Sequence, residues 1–392
     1  MRQQFLWGAA TSAHQVEGHN VHNDWWHWEQ KHPEVQNSGA AADHYHRFDE
    51  DFKLAKQLGH TAHRLSLEWS RLEVTPGEWS QKALAHYREV LTSLKEHGLT
   101  SFVTLHHFTN PQWVADAGGW LDAATPGRFE RYAEFVAREL GELVDFWVTI
   151  NEPMVYATQS FWYGNWPPQE KSLRHMLRAT SNLAAGHNRA YDAIHSVLPQ
   201  AKVGIAKHFV AFLPENTWHL DDRLVVGAAN WFFNRRFMNH TWRSHDFIGV
   251  NYYQTNTKHV TVFPPRVDEE PWEGLRSDMD WAIRPEGLTH VLLEAKRYGV
   301  PLYVTENGLA DAADSRRADF IRSHLRASED AQKGGADVRG YLHWSLLDNF
   351  EWAYGYGPRF GLVEVDYETQ DRTPRRSAYV YKCIIEQAQG SL

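Results

Sequence analysis

The chain has 392 residues, a formal net charge of −9 and a single cysteine, Cys383. The negative charge argues against nucleic acid as the main ligand, since phosphate binding needs a basic surface. One cysteine excludes an intrachain disulfide. No basic segment followed by an apolar run opens the chain, and no window approaches the roughly 18 apolar residues of a membrane span. We therefore expect a soluble, cytoplasmic protein without nucleic-acid or membrane partners.

Eight short apolar runs have the β-branched character of buried strands, and most are followed by a stretch with helical periodicity. Alternating strands and helices predict parallel strands joined by right-handed crossovers. The predicted strands are Phe5–Ala10, Ala62–Leu67, Ser101–His106, Asp145–Ile150, Lys202–Lys207, Phe247–Tyr252, Pro301–Thr305 and Gly340–Ser345. The predicted helices are Asp49–Leu58, Lys82–His97, Pro126–Leu140, His175–Val197, Gly287–Tyr298 and Arg316–Lys333.

Eight such strands predict an α/β fold in which residues 1–392 form a single catalytic (β/α)8 domain. A barrel of this kind needs about 250 residues, so the surplus is expected in enlarged loops. The alternative is an open doubly wound sheet, but the Gly-rich phosphate turn expected after its first strand is missing. The enlarged loops are predicted mainly at Ala13–Tyr45, Gly164–Leu173, Phe209–His245 and Thr255–Arg284.

Polar and aromatic residues stand at the end of nearly every predicted strand. In a parallel barrel the chemistry gathers at these carboxyl ends, and a purely structural barrel would not require such residues there. The pattern therefore indicates a ligand site. The residues that form this pattern are Gln15, Arg64, His106, His107, Asn151, Glu152, His208, Asn251, Tyr252, Tyr253, Glu306 and Trp344.

Two of these residues are acidic, Glu152 and Glu306, and they lie 154 positions apart. Two carboxyl groups in one pocket are the minimal equipment for cleaving a glycosidic bond. A separation of about 5 Å makes the reaction retaining and one of about 6.5–9.5 Å makes it inverting, which sequence spacing does not measure. Taken alone, Glu152 also fits the start of a helix at Pro153, and Glu306 also fits a turn.

Three neighbours suggest roles for the two acids. Arg64 and Tyr253 are expected to stabilise a nearby carboxylate, and the lowered pKa suits a nucleophile. Arg64 also fits a structural ion pair, a role that is compatible with holding Glu306. Asn151 offers an amide to a sugar hydroxyl. A second carboxyl group beside an ionised one has a raised pKa, as a general acid requires near neutrality.

Several other residues are assigned structural roles. His106 and His107 lack the spacing of a metal site, so no metal and no cofactor are expected. His208 is expected to pack or to form structural hydrogen bonds. Tyr252 is expected to point away from Tyr253, because successive strand residues face opposite sides of a sheet.

Four segments resemble glycoside hydrolase family 1, the β-glucosidase family. They read FLWGAATSAHQVEG at 5–18, TINEP at 149–153, VTENG at 304–308 and HWSLLDNFEW at 343–352, the last followed by RFGL at 359–362. The resemblance runs from residue 5 to about residue 380 and keeps the segments in family order.

The resemblance implies a retaining (β/α)8 enzyme with Glu152 as acid/base and Glu306 as nucleophile. An acid at the position of Glu351 implies an unphosphorylated sugar, because family members acting on 6-phosphoglycosides lack one there. The family's aglycone-side tryptophan is matched by Trp281. The implied pocket for the terminal sugar consists of Gln15, His107, Asn151, Glu351 and Trp352, with Trp344 as its floor.

One departure from the family is Phe108, which stands where tryptophan is usual. The chain is also shorter than typical members, which predicts a more open aglycone entrance. We expect an exo-acting β-glucosidase that takes β-glycosides or oligosaccharides, with activity on galactosides and fucosides, since one ring hydroxyl separates these sugars. The alternatives are a 6-phospho-β-glycosidase, a transglycosylase and a non-catalytic sugar-binding barrel.

Overall fold

The structure is a computed structural model that describes residues 5–215, 217–261, 266–269 and 272–390. Eight parallel strands form a closed barrel in which each strand pairs with its neighbour in chain order and the last pairs with the first. This confirms the predicted (β/α)8 fold. The strands, numbered β1 to β8, are Leu6–Ala10, Ala62–Ser66, Thr100–His106, Phe146–Asn151, Val203–His208, Phe247–Asn251, Leu302–Asn307 and Val338–Trp344.

A long helix follows each strand and packs outside the barrel. The helices α1 to α8 are His44–Gln57, Gln81–Glu96, Thr125–Leu140, Leu173–Val197, Leu220–Asn230, Pro285–Ala295, Arg317–Lys333 and Arg376–Gly390. Shorter helical segments are Ala13–Val16, Asp24–Glu29, Trp69–Leu72, Gln112–Asp116, Gly119–Leu121, Gly141–Leu143, Pro153–Thr158, Gln159–Tyr163, Trp231–Arg235, Arg236–Thr241, Lys296–Tyr298 and Trp352–Tyr354. None of the helices within the described ranges is both long and apolar enough to cross a bilayer.

Two of the long helices, α5 and α8, were not predicted from the sequence. Helix α5 lies in a stretch predicted as a loop, and its Leu220 and Leu224 are exposed. Its apolar residues therefore do not mark a buried face, which is the signal that periodicity detects. Helix α8 packs against the barrel through Tyr381, whose hydroxyl donates to the carbonyl oxygens of Gly8 and Tyr341.

Short strands lie in three of the loops that join the barrel elements. Ala211–Pro214 pairs with Thr255–Thr261, which pairs with Arg266–Glu269. Val363–Val365 pairs with Arg372–Pro374. In the predicted loops, residue 216, residues 262–265 and residues 270–271 lie outside the described residues.

The interior of the barrel is apolar at its centre and polar towards the carboxyl ends of the strands. Aromatic rings fill the centre, and those of Phe102 and Phe146 stack with their centroids 4.2 Å apart. Because side chains alternate along a strand, the inward-facing residue that follows one in the apolar centre lies two positions further along the strand. In β2 this is Arg64, and in β5 it is His208. A layer of functional side chains therefore rests directly on the apolar core.

Candidate active site

Both acidic residues singled out from the sequence line one cavity of about 1060 Å³. Its walls are formed by residues at the carboxyl ends of the strands and in the loops that follow. Arg64 is fully buried beside the cavity and is not part of its wall. The other predicted site residues that line the cavity are Gln15, His107, Asn151, Tyr253, Trp281, Trp344, Glu351 and Trp352.

Glu152 begins the short helix Pro153–Thr158, but its side chain forms no capping hydrogen bond. Oε1 instead accepts a hydrogen bond from Nδ2 of Asn251 at 2.8 Å. The backbone of Glu152 is left-handed, with φ 45° and ψ 57°, a conformation that costs energy for a residue with a Cβ atom. This turn directs a buried carboxyl group into the cavity and does not use it to cap the helix.

Glu306 lies on β7 and is paired in register with Asn251 on β6. Both of its oxygens accept hydrogen bonds: Oε1 from the buried guanidinium group of Arg64 and Oε2 from the hydroxyl of the partly buried Tyr253 at 2.9 Å. The side chain is 4% exposed. Its carboxyl group is therefore fixed in orientation before any ligand binds.

Asn151 connects the two acids through its side-chain oxygen. This atom accepts a hydrogen bond from Nη2 of Arg64 at 2.7 Å and from Nδ2 of Asn251 at 3.1 Å. Arg64 also contacts Glu306, and Asn251 also contacts Glu152. Four strands that are distant in sequence thus place both carboxyl groups in one hydrogen-bonded network.

Aromatic rings form one wall of the cavity. The imidazole of His107 lies between the indoles of Trp344 and Trp352, at centroid distances of 6.0 Å and 6.1 Å and nearly parallel to both. On the opposite side, Trp281 packs 5.8 Å from the ring of Tyr253. Such faces suit the apolar faces of a sugar or an aryl group.

Gln15 and Glu351 form a polar corner of the same cavity. Nε2 of Gln15 donates to Oε2 of Glu351 at 3.3 Å and to the carbonyl oxygen of Phe350 at 2.9 Å. Burial raises the pKa of Glu351 to about 8, and the negative charges of Glu306 and Glu152 add to this effect. The corner therefore offers an amide and a carboxyl group that keeps its proton at neutral pH.

We expect Glu351→Gln to stabilise the folded protein at pH 8 but not at pH 5. A folded-state pKa of about 8, well above the ordinary value of a glutamate, means that the folded form binds this proton more tightly. The wild type therefore loses stability as the pH rises from the unfolded pKa to the folded one, by roughly 1–4 kcal/mol. Glutamine does not ionise and avoids this loss. Thermal unfolding at both pH values measures the difference, and an equal gain at pH 5 and pH 8 would contradict the explanation.

The two acids of the network have displaced pKa values. Burial raises the pKa of Glu306 to about 7, because the lowering effect of Arg64 is opposed by repulsion from Glu152. Burial also acts to raise the pKa of Glu152, but His208 and Asn251 outweigh it and leave that pKa lowered. Interacting carboxyl groups titrate as a pair. The ligand-free pair therefore holds one proton up to about pH 7.

This order is the reverse of the one expected from the sequence, which gave the lowered pKa to the neighbour of Arg64. Arg64 and Tyr253 do bind Glu306 as expected. The difference arises because Nδ1 of His208 lies 3.4 Å from Oε1 of Glu152. His208 was expected to have only a structural role, so the prediction omitted the side chain that contributes most to lowering the pKa of Glu152.

Two site residues were noticed in the sequence without a role. Asn251, at the end of β6, holds both Asn151 and Glu152. Phe108 has a left-handed backbone and packs 4.8 Å from the ring of Trp166 and 5.2 Å from that of Trp352. The position of Asn251 at the end of a predicted strand was the feature of the sequence that could have identified it as a site residue. Trp166, in a predicted loop, carried no signal.

His106, the last residue of β3, and His107, which follows it, face opposite sides. His107 lines the cavity, whereas Nε2 of His106 contacts Oδ1 of Asn110 at 3.1 Å behind the barrel wall. In the part of the chain that the structure describes, no three His, Cys, Asp or Glu side chains are placed to hold a metal ion. Tyr252 points away from Tyr253, as predicted, and donates to the carbonyl oxygen of Arg284 at 2.6 Å.

Comparisons with known proteins agree along the whole chain. The model of the family described as Glycosyl hydrolase family 1 matches residues 1–244 and 236–390. Beta-glucosidase A of Thermotoga maritima is 31% identical, with 97% of each chain covered. The beta-galactosidase of Pyrococcus woesei is 29% identical, with 98% of this chain and 96% of the relative covered. The solved structure of a beta-glycosidase from Pyrococcus horikoshii has a TM-score of 0.92 at 39% identity, covering 98% of this chain and 94% of that one.

Proposed function

Because this chain belongs to glycosyl hydrolase family 1, a family of glycosidases, we propose that Glu152 and Glu306 are the carboxyl groups with which it cleaves β-glycosides. One observation carries the proposal. Both groups face one cavity, joined by the hydrogen bonds of Arg64, Asn151 and Asn251. A single sugar unit in that cavity would meet both.

In the first step of the proposed mechanism, an oxygen of Glu306 attacks the anomeric carbon while Glu152 gives its proton to the departing oxygen. The bond from that carbon to the leaving group breaks as the bond to Glu306 forms. In the second step Glu152, now ionised, takes a proton from water, and the water oxygen displaces Glu306. Two displacements at one carbon retain its configuration.

Arg64 and Tyr253 prepare Glu306 for this reaction. Their hydrogen bonds favour the ionised form and fix both oxygens, which reduces the reorganisation needed for attack. For glycosyl transfer, the single proton of the pair must reside on Glu152 when the substrate is bound. Arg64 supports this distribution, because its charge lies on the side of Glu306.

We propose glucose as the preferred terminal sugar and galactosides and fucosides as further substrates. The names of the relatives, beta-glucosidase and beta-galactosidase, support this range. Glu152, Glu306 and Glu351 line the cavity, whereas no lysine or arginine of the described residues does, so a sugar phosphate would be buried there without a paired cation. The preferred substrate is therefore an unphosphorylated β-glycoside.

A panel of nitrophenyl α- and β-glycosides, with and without a 6-phosphate, tests this function. We expect kcat/KM on β-glucoside to exceed that on its 6-phosphate by at least about 100-fold, since burying a phosphate without a paired cation costs several kcal/mol. NMR of the first product should detect the β-anomer. Turnover of phosphorylated substrates alone would establish a 6-phospho-β-glycosidase. Binding without turnover would indicate a sugar-binding barrel, and products that carry an acceptor alcohol would indicate a transglycosylase.

A further inference from the structure

His208 occupies a fixed position in the active-site wall, although nothing in the proposed mechanism uses it so far. It is the last residue of β5 and is 7% exposed. Its ring lies parallel to that of Tyr253, at a centroid distance of 5.9 Å and an angle of 10°, and meets Phe233 edge-on, also at 5.9 Å. On the outer side of the strand, the ammonium group of Lys207 donates to the carbonyl oxygen of His208. The ring and the backbone of His208 are therefore both held in place.

This position directs one ring nitrogen at the proposed acid/base. Nδ1 of His208 lies 3.4 Å from Oε1 of Glu152, the oxygen that also accepts the hydrogen bond of Asn251 at 2.8 Å. Both side chains are largely buried, with 9% of each exposed. A carboxyl group and an imidazole this close in a dry site share protons, because histidine ordinarily titrates near neutrality.

Of the charged and titratable groups around His208, Glu152 is the nearest acid. Tyr253, from the loop after β6, stacks on the ring and donates its hydroxyl hydrogen to Glu306. Lys207 lies behind the strand, with its ammonium group 4.6 Å from the centre of the Phe233 ring. Arg64 is bonded to Glu306 and Asn151 and not to Glu152. Glu351 lies in another part of the cavity wall, at Gln15.

We propose that the proton which Glu152 delivers to the departing oxygen is shared, in the resting enzyme, with Nδ1 of His208. His208 is thus a positioning residue that acts through Glu152, and the inference rests on the proposed role of Glu152. In the resting state the proton lies between Nδ1 of His208 and Oε1 of Glu152. When the substrate is cleaved, the proton passes from Nδ1 to Oε1 and from there to the oxygen of the breaking bond. In the second step the proton taken from water restores the shared state.

A shared proton has a measurable consequence at alkaline pH. Two groups that share one proton hold it more tightly than either group alone. The pair therefore loses this proton at a higher pH than Glu152 would beside a group that does not titrate. The lowered pKa of Glu152, to which His208 contributes most among the lowering groups, agrees with this pairing. His208 therefore extends activity to higher pH.

The test is the pH profile of kcat/KM for His208→Asn, whose amide is polar but binds no proton in this range. An alkyl β-glucoside needs acid assistance. With this substrate we expect the alkaline fall of kcat/KM to begin about one pH unit lower than in the wild type, so that kcat/KM beyond it is about tenfold lower. With a dinitrophenyl β-glucoside, whose leaving group needs no proton, the rate should stay close to that of the wild type. His208→Gln supplies a second amide of different length if the asparagine variant does not fold.

The matched control is His195→Asn. His195 is also a histidine packed against a tyrosine and close to a carboxylate, since its ring lies 4.2 Å from that of Tyr191 and its Nε2 lies 3.2 Å from Asp246. It lies on α4 and does not line the cavity. Its replacement should leave both limbs of the profile in place.

Two results would overturn the inference. One is a basic limb of His208→Asn at the same pH as that of the wild type. The other is an equal loss with the alkyl and the dinitrophenyl substrate at every pH, which is the result of a purely structural role. Failure of the proposed function is distinguished by Glu152→Ala. If that variant hydrolyses alkyl glucosides normally, the role of Glu152 is wrong, whereas a normal limb in His208→Asn beside an impaired Glu152→Ala rejects only the shared proton.

Discussion

Glu306→Ala is expected to lower kcat by at least about 10⁴-fold, as removal of a catalytic nucleophile does in other enzymes. The variant lacks the oxygen that attacks the anomeric carbon, while Arg64, Asn151 and Glu152 remain. Azide enters the space left by the carboxyl group and attacks the same face of that carbon. Part of the activity should therefore return with azide, and the product should be the α-glycosyl azide, identified by NMR.

Glu286→Ala is the control for this experiment. Glu286 pairs with Arg284 at 2.7 Å on the surface near the start of α6, away from the cavity. Its replacement should leave kcat unchanged and azide without effect. Full activity of Glu306→Ala, or a β-configured azide product from it, would refute the assignment of the nucleophile.

Glu152→Ala is expected to affect substrates according to their leaving groups. General acid catalysis contributes about 10²–10⁴-fold, so alkyl β-glucosides should lose that much in kcat/KM. Dinitrophenyl β-glucosides should lose little in the first step, because their leaving group departs without a proton. The intermediate on Glu306 should then accumulate, because no base activates water. Added azide needs no base and should release the β-glycosyl azide.

The two variants thus predict opposite anomers with the same reagent, and this contrast separates the roles of the two acids. An equal loss across leaving groups in Glu152→Ala would contradict the acid role. An α-configured azide from that variant would indicate that the two roles are exchanged. Burst kinetics with the dinitrophenyl substrate measure the accumulation independently.

The strands were the best-predicted part of the fold. All eight predicted strands are present with ends shifted by at most two residues, because β-branched runs between polar turns are a local property of the chain. Helices α5 and α8 were missed. The apolar residues of α5 do not all face the core, and a pattern search detects only helices that bury one face. That residues 1–392 form a single domain stays a prediction, as does a cytoplasmic location.

The site was predicted as a set of residues and not as a set of contacts. Arg64 and Tyr253 meet Glu306, as expected from their chemistry. The partners of Glu152 were not foreseen, because Asn251 and His208 reach it from two other strands. Local sequence carries no record of which side chain faces another across the inside of a barrel. The reversed order of the two pKa values follows from these contacts.

The sequence by itself determined the eight strands and the barrel, because these depend on local apolar patterns, and motifs of a few residues singled out the two acids, whose catalytic roles stay a prediction. Only the tertiary structure decided that an asparagine and a histidine hold Glu152, and that Asn151 connects it with Arg64. The physical reason is that closing the barrel buries side chains from distant segments together. Within that dry space, the distance between charges sets where a proton resides.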